Sequence, residues 1–176
     1  MKFKYFILAV MLLTAVVSCK QNEPDVRTGV TPAIGERMHM ASFEMPSLTD
    51  NTTINSQQFE GQVLLVAFFA TWCPPCVQEI PTLVALQDSY KSKGFSVVAF
   101  SVDEGDLAPL EKLIVKNGIN YPVLKSNPDI TQSFGGVTGI PVVFLVNRKG
   151  EIVKKYLGYT GHNTLEEEIK MMLAAG

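Results

Sequence analysis

The cysteines are the residues of this chain whose spacing could do chemistry. Two of the three lie in the segment "TWCPPCVQEIP", where Cys73 and Cys76 are separated by two prolines. This spacing is compatible with a zinc site, a structural disulfide or a dithiol that exchanges electrons with other proteins. A zinc site needs four ligands, and the remaining cysteine and the two histidines are not paired at ligand spacing. A structural disulfide across so short a loop adds little stability, because the gain in stability grows with loop length. The pair therefore favours redox exchange, and no metal site is predicted.

A buried strand and an amphipathic helix flank the two cysteines. The stretch "QVLLVAFFAT" before them is a continuous apolar run, typical of a strand covered on both faces. After two prolines, apolar residues recur every three or four positions from Cys76 to Tyr90, which predicts a helix that stops before Gly94. A Cys-X-X-Cys between a buried strand and a helix is typical of a thiol redox motif.

The rest of the chain alternates between strand and helix patterns. Strands are predicted at "FSVVAFSVD", "YPVLK" and the two halves of "PVVFLVNRKGEIVKKYLGY". Helices are predicted at "DLAPLEKLIVKNG", "PDITQSFG" and "NTLEEEIKMMLAA", the last with Asn163 as its N-cap. Two short segments, "MASFEMPSL" and "TTINSQQF", precede this core as edge strands. The order predicts an α/β domain with a central mixed β-sheet and helices on both faces.

The first residues have the layout of an export signal. Two lysines precede an apolar run from Tyr5 to Val17, which is shorter than the roughly 20 residues that a membrane-spanning helix needs. The ending "VVSC" resembles that of a bacterial lipoprotein signal, which predicts that residues 1–18 are removed and that Cys19 is lipidated. The alternative is a simple secretory signal with an incidental cysteine. A lipid on Cys19 would hold the exported protein at a membrane surface of the cell envelope or periplasm.

Residues 19–37 and 38–176 differ in composition. The first range is polar, contains several prolines and glycines and has no helical or alternating period, which predicts a flexible tether. The second range is predicted to be one domain. The formal net charge of −2 and the absence of a basic cluster beyond the first residues argue against nucleic acid as a partner.

Two segments resemble a known family. "FFATWCPPCVQEIP" and "TGIPVVFLVNRKGEIV" are similar to the active-site and cis-proline segments of the thioredoxin-like superfamily, and specifically of its membrane-anchored TlpA-like thiol-disulfide oxidoreductases. Some members of that branch serve cytochrome c maturation. The resemblance covers roughly residues 38–174 and implies a thioredoxin-like fold with an N-terminal β extension. It also implies an inserted strand–helix unit between Asp103 and Gly135.

The resemblance also implies a substrate-binding loop around Pro141. In the family this proline is cis, and the backbone of the preceding residue, here Ile140, pairs with an extended segment of the substrate. An ordinary trans proline at the start of a strand is the alternative. Trp72 would flank the same site, although a single tryptophan can equally be a core aromatic residue.

The roles of the two cysteines follow from their positions. Cys73 precedes the helix, where free backbone amides and the helix dipole stabilise an anion, so we expect an accessible thiolate that acts as the nucleophile. Cys76 lies in the first turn and would resolve the mixed disulfide by attacking Cys73. Pro74 and Pro75 have no amide hydrogen, so within this loop only the amide of Cys76 can donate to the thiolate. Fewer donors predict a less acidic Cys73 and a more reducing couple.

The proton relay of thioredoxin is missing from this chain. Six residues before the nucleophile, where thioredoxin has a buried aspartate, this sequence has Ala67. The carboxyl nearest in sequence is Glu79, one helical turn after Cys76, and the TlpA-like family carries a glutamate there as well. We therefore predict that Glu79 handles the proton of the reaction. The alternative is a solvated glutamate that interacts only with the helix dipole.

Three functions are compatible with these features. The preferred one is an exported thiol-disulfide oxidoreductase that reduces or exchanges disulfides in envelope proteins and receives electrons from a membrane donor. The resemblance implies apocytochrome c or other exported thiol proteins as its substrates. A peroxidase of the peroxiredoxin type is disfavoured, because Ala70 and Val66 stand where its signature requires threonine and proline before Cys73. A non-catalytic binding or assembly module is disfavoured by the intact Cys-X-X-Cys. No cofactor motif is present, since "GGVTGIP" lacks the strand–turn–helix context of a dinucleotide loop.

Overall fold

The computed structural model describes residues 38–175. The predicted signal at residues 1–18, the lipidation site Cys19 and the tether at 19–37 lie outside the described residues.

Seven strands and four helices make up the described part of the chain. The strands are β1 (Glu44–Pro46), β2 (Thr53–Asn55), β3 (Val63–Phe69), β4 (Phe95–Ser101), β5 (Val123–Lys125), β6 (Val142–Val146) and β7 (Ile152–Leu157). The helices are α1 (Pro74–Tyr90), α2 (Ala108–Asn117), α3 (Pro128–Ser133) and α4 (His162–Ala174). Short 3-10 turns at Ser56–Phe59 and Lys91–Lys93 follow β2 and α1.

Five of the strands form one mixed sheet in the order β5-β4-β3-β6-β7. Strands β3, β4 and β5 are parallel, whereas β6 and β7 run antiparallel to their neighbours. Because the carboxyl ends of parallel strands lie at one edge of a sheet, the loops after β3, β4 and β5 gather there. The start of β6 reaches the same edge, since Val142 pairs with Phe68 near the end of β3.

The central strand β3 is buried along its whole length, as its continuous apolar run predicts. Its side chains alternate between two core clusters, with Leu65 on one face and Phe68 on the other. The ring of Phe68 lies 5.3 Å from those of Phe100 and Phe134 and 5.9 Å from that of Phe144, measured between centroids. Burying each such side chain stabilises the fold by roughly 1.5–3 kcal/mol.

Helices cover both faces of the sheet, which confirms the predicted fold class. Leu83 of α1, Leu110 of α2 and Leu165 of α4 pack on one face, in the cluster that also contains both cysteines of the motif. Ile130 of α3 packs on the other face, together with Ile54 of the hairpin formed by β1 and β2.

The hairpin of β1 and β2 is the predicted N-terminal β extension. It reaches the outer edge of β5, where Ser47 forms an isolated bridge with Leu124 and the amide of Leu48 donates to the carbonyl of Val123 at 2.8 Å. The unit formed by α2, β5 and α3 occupies the predicted insertion. The contacts of the hairpin with β5 cover an edge of the sheet that would otherwise be open.

The predicted start of the last helix was wrong by two residues. The N-cap of α4 is Gly161 rather than Asn163, which lies inside the first turn. Gly161 has an extended backbone and directly follows Thr160, whose amide donates to Glu79 of α1. Because this bond fixes the chain just before Gly161, the helix begins earlier than the capping pattern indicates.

Candidate active site

Cys73 and Cys76 form a disulfide at the junction of β3 and α1. Their Cα atoms are 5.3 Å apart, and the two residues are 5% and 2% exposed. Cys73 is the N-cap residue of α1, and Cys76 lies in its first turn. Cys73 is therefore placed before the helix as predicted. It is less accessible than expected in this state, because its sulfur is bonded to that of Cys76 in the core.

Two prolines open α1 and leave few free amides beside the cysteines. Pro74 and Pro75 occupy the first two helical positions, where a missing N–H costs no hydrogen bond. The amide of Val77 donates to the carbonyl of Cys73 at 3.1 Å, and Cys73 makes no side-chain capping bond. Because neither proline has an N–H and the amide of Val77 is bonded, the amide of Cys76 is the one in this turn that can donate to the sulfur of Cys73.

Three exposed side chains surround the disulfide in the sequence. Trp72 is 67% exposed, so its alternative interpretation as a core aromatic residue was wrong. Pro74 and Pro75 are exposed as well. An exposed tryptophan next to a redox cysteine leaves a flat apolar surface that a polypeptide can contact.

The loop before β6 carries the cis peptide bond that the family resemblance implies. The bond joins Ile140 to Pro141, so the alternative of a trans proline was wrong. Ile140 is half-buried and packs against the cluster that contains both cysteines. The carbonyl of Pro141 accepts the amide of Gly158 at 2.8 Å, which ties the end of β7 to this loop.

Glu79 is buried in α1 and is not the solvated glutamate of the alternative interpretation. It is 2% exposed, and its Oε1 accepts the amide of Thr160 at 2.8 Å. Burial raises the pKa of its carboxyl group from 4.5 to about 7, against the smaller opposing effect of the hydrogen bond from Thr160. Thr160, which donates this bond, lies just after the hairpin of β6 and β7.

Tyr121 and the segment at the end of β7 also lie near the site, and the sequence did not predict them. Tyr121 is 2% exposed, and its pKa is raised first by burial and then by the negative charge of Glu79, so the two side chains interact. Leu157 and Tyr159 are 73% and 46% exposed, on a segment held by the bonds of Gly158 and Thr160. Many strands are preceded by an aromatic residue such as Tyr121, and many loops contain a glycine such as Gly158. Neither pattern marks these residues as part of a site in the sequence.

No group of three or more His, Cys, Asp or Glu side chains within residues 38–175 is arranged to hold a metal ion.

Comparison with known proteins places the chain in a family. Residues 33–171 match the Redoxin family. The chain is 30% identical over 118 residues to the thiol-disulfide oxidoreductase ResA of Bacillus thuringiensis subsp. konkukian, which covers 66% of this chain and 67% of that protein. It is 26% identical over 124 residues to the protein of the same name from Bacillus subtilis, covering 70% and 69% of the two chains.

Solved structures show the same relationship. A thiol:disulfide interchange protein of the thioredoxin family from Chlorobium tepidum superposes with a TM-score of 0.73 at 32% identity, covering 80% of this chain and 99% of that one. StoA from Bacillus subtilis superposes with a TM-score of 0.63 at 27% identity, covering 74% and 97%. With its thioredoxin-like fold and its Cys73–Cys76 disulfide, the chain belongs to the Redoxin family and is a thiol-disulfide oxidoreductase.

Proposed function

We propose that the protein reduces disulfides of exported proteins in the bacterial cell envelope, with Cys73 as the nucleophile and Cys76 as the resolving cysteine. The observation that carries this proposal is the position of Cys73 at the N-cap of α1, disulfide-bonded to a cysteine in the first turn. A thiolate at Cys73 benefits there from the positive end of the helix dipole.

The reaction transfers two electrons in two exchange steps. The thiolate of Cys73 attacks one sulfur of the substrate disulfide, whose S–S bond breaks while the other sulfur leaves as a thiolate and takes up a proton. Cys76 then loses its proton and attacks the sulfur of Cys73, which releases the second substrate thiolate and forms the enzyme disulfide. The substrate is reduced and the enzyme dithiol is oxidised. An upstream dithiol donor at the membrane must reduce the enzyme again.

The surface around the disulfide suits an extended polypeptide. Trp72, Pro74 and Pro75 offer exposed uncharged contacts, and the backbone of Ile140, before the cis Pro141, would pair with a substrate strand. Leu157 at the end of β7 and Tyr159 just after it are also exposed, and the bond from Gly158 to Pro141 holds them beside this loop. Their side chains extend this surface. Substrates of this kind include exported proteins with cysteine pairs, and we propose apocytochrome c as one of them.

The double-proline turn predicts the direction of electron flow. With one amide available to the thiolate of Cys73, we expect a potential nearer that of thioredoxin, roughly −270 mV, than that of strongly oxidising proteins near −120 mV. Titration against defined thiol buffers, followed by the fluorescence of Trp72, measures the value. A potential above about −180 mV, the level of the isomerases, would make the protein an oxidant and contradict the proposed direction.

The membrane attachment is proposed from the sequence. No helix within residues 38–175 is both long and apolar enough to cross a membrane. We propose that Cys19, after removal of residues 1–18, carries the lipid that holds the tether and the domain at a membrane of the envelope.

Labelling with a radioactive fatty acid tests the anchor. We expect label in the wild-type protein and none in Cys19→Ala, because the acyl chains are attached at this cysteine. Wild type should fractionate with membranes, and Cys19→Ala should not. Equal label in both proteins, or none in either, would rule out lipidation at Cys19.

A further inference from the structure

Asp103 is a buried carboxyl group bound to the turn that precedes the cysteines. It lies two residues after β4 and is 5% exposed. Its two oxygens accept the amide of Thr71 at 3.1 and 3.0 Å, and Oδ1 also accepts the hydroxyl of Thr71 at 2.6 Å. Oδ2 accepts the hydroxyl of Ser101 at 2.7 Å, whose oxygen in turn accepts the amide of Asp103 at 3.1 Å. This carboxyl group takes no part in the two exchange steps.

In each of these hydrogen bonds the carboxyl group is the acceptor, with the amide and hydroxyl of Thr71 and the hydroxyl of Ser101 as donors. Among the described residues, no lysine, arginine or histidine forms an ion pair with Asp103. A buried polar group satisfied only by hydrogen bonds is costly to displace, because moving its donors leaves it buried without partners. The bonds to Thr71 therefore hold the backbone of the turn firmly.

Other contacts hold the two ends of the turn: the amide of Val102 donates to the carbonyl of Phe69 at 2.9 Å, and Cys73 is bonded to Cys76. The amide of Cys73 donates to the carbonyl of Ala70 at 3.2 Å, which is a bond within the turn itself. Trp72 projects into solvent, with 67% of its surface exposed. Asp103 supplies the side-chain bonds that join Thr71, in the middle of the turn, to the loop after β4, 32 residues away in sequence.

We propose that Asp103 is a positioning residue that acts through Thr71 to hold the turn carrying Trp72 and Cys73. Thiol-disulfide exchange needs the attacking sulfur in line with the two sulfurs of the target bond, and a displacement of about 1 Å can slow an oriented reaction about 100-fold. A rigid turn keeps Cys73 in that geometry while Cys76 attacks or leaves. The proposal rests on the proposed role of Cys73 as the nucleophile.

Two pairs of variants in the full-length protein test the contact. Asp103→Ala removes every bond to Thr71, and Asp103→Asn keeps one acceptor oxygen. Thr71→Val removes the hydroxyl donor at nearly constant shape, and Thr71→Ser keeps it. Insulin disulfide reduction measures exchange, while the fluorescence anisotropy of Trp72, the one tryptophan of the chain, measures motion of the turn. Asp106→Asn, an exposed carboxylate in the same loop region, is the charge control.

We expect Asp103→Ala to slow insulin reduction about tenfold and to lower the anisotropy of Trp72 in the folded protein. Thr71→Val and Asp103→Asn should show smaller losses of both, and Thr71→Ser and Asp106→Asn should match wild type. Adding Thr71→Val to Asp103→Ala should slow the reaction no further, because the bond it removes is already gone. A general loss of stability would lower the unfolding temperature, but it would leave the anisotropy of Trp72 unchanged at temperatures where the protein is folded.

The proposal would be overturned if folded Asp103→Ala had the rate and the anisotropy of the wild type. It would also be overturned if adding Thr71→Val to Asp103→Ala slowed the reaction by as much as Thr71→Val does alone. If Asp103→Ala does not fold, the comparison of Thr71→Val with Thr71→Ser decides, and identical rates and anisotropies in these two would overturn it. A wild-type protein that fails to reduce insulin would instead contradict the proposed function. The anisotropy of Trp72 would still test the contact in that case.

Discussion

A Cys76→Ser variant is expected to stop halfway through the reaction, as a mixed disulfide between Cys73 and its protein substrate. In the wild type, Cys76 lies in the same helical turn and attacks this bond intramolecularly. Without it, release depends on external thiols, so insulin reduction should fall at least about 100-fold, a modest part of what an oriented neighbouring group can supply. Expressed in the native host, the variant should accumulate adducts that mass spectrometry can identify.

Cys73→Ser is the matched control for the trapping experiment. Of the two cysteines of the motif it retains only Cys76, which is 2% exposed and packed in the core cluster under the start of α1. This variant should form no adducts and should be inactive. Adducts on Cys73→Ser and none on Cys76→Ser would reverse the assigned roles of the two cysteines.

Glu79→Gln is expected to slow disulfide exchange about tenfold or more near neutral pH while leaving the fold intact. Burial raises the pKa of Glu79 to about 7, so near neutral pH its carboxyl group can both give and accept a proton. Glutamine keeps an oxygen to accept the amide of Thr160, but it cannot transfer a proton. Between pH 6 and pH 8 we expect the wild-type rate to titrate near pH 7 and the rate of Glu79→Gln to lack this titration.

Glu111→Gln, an exposed position on α2, controls for the loss of a carboxylate elsewhere on the surface. It should match the wild type across the pH range. A Glu79→Gln variant that also matches the wild type from pH 6 to 8 would remove Glu79 from the reaction, and water would then have to carry the proton.

The same carboxyl group should make stability depend on pH. The folded state binds the proton of Glu79 with a pKa of about 7, against 4.5 for the ordinary group. Between these values the folded state holds more protons than the unfolded state, so stability should fall as pH rises from 4.5 to about 7 and then level off. A difference of 7 − 4.5 = 2.5 pKa units corresponds to on the order of 3 kcal/mol. Denaturant unfolding of oxidised wild type and Glu79→Gln should diverge over this range, and parallel curves would contradict the buried titration.

The redox motif and its supporting elements were predictable because their signals are local. The apolar run of β3, the three-and-four spacing of α1 and the pair Cys73 and Cys76 all lie within about thirty neighbouring residues. Periodicity and turn chemistry act over such distances, so the strand, the turn and the helix followed from the residues themselves. The alternation along the rest of the chain likewise predicted the mixed sheet with helices on both faces.

The surroundings of the motif were decided by contacts between distant segments. Glu79 is buried by Thr160, 81 residues later, and Thr71 is held by Asp103, 32 residues later. A glutamate in the first turns of a helix and an aspartate after a strand have the same local pattern whether they are buried or solvated. Their environment depends on which loops the sheet order brings to the carboxyl edge of β3 and β4. Only the assembled tertiary structure desolvates Glu79 and so raises its pKa. Likewise, only the tertiary structure brings Asp103 into hydrogen-bond contact with Thr71, in the turn before Cys73.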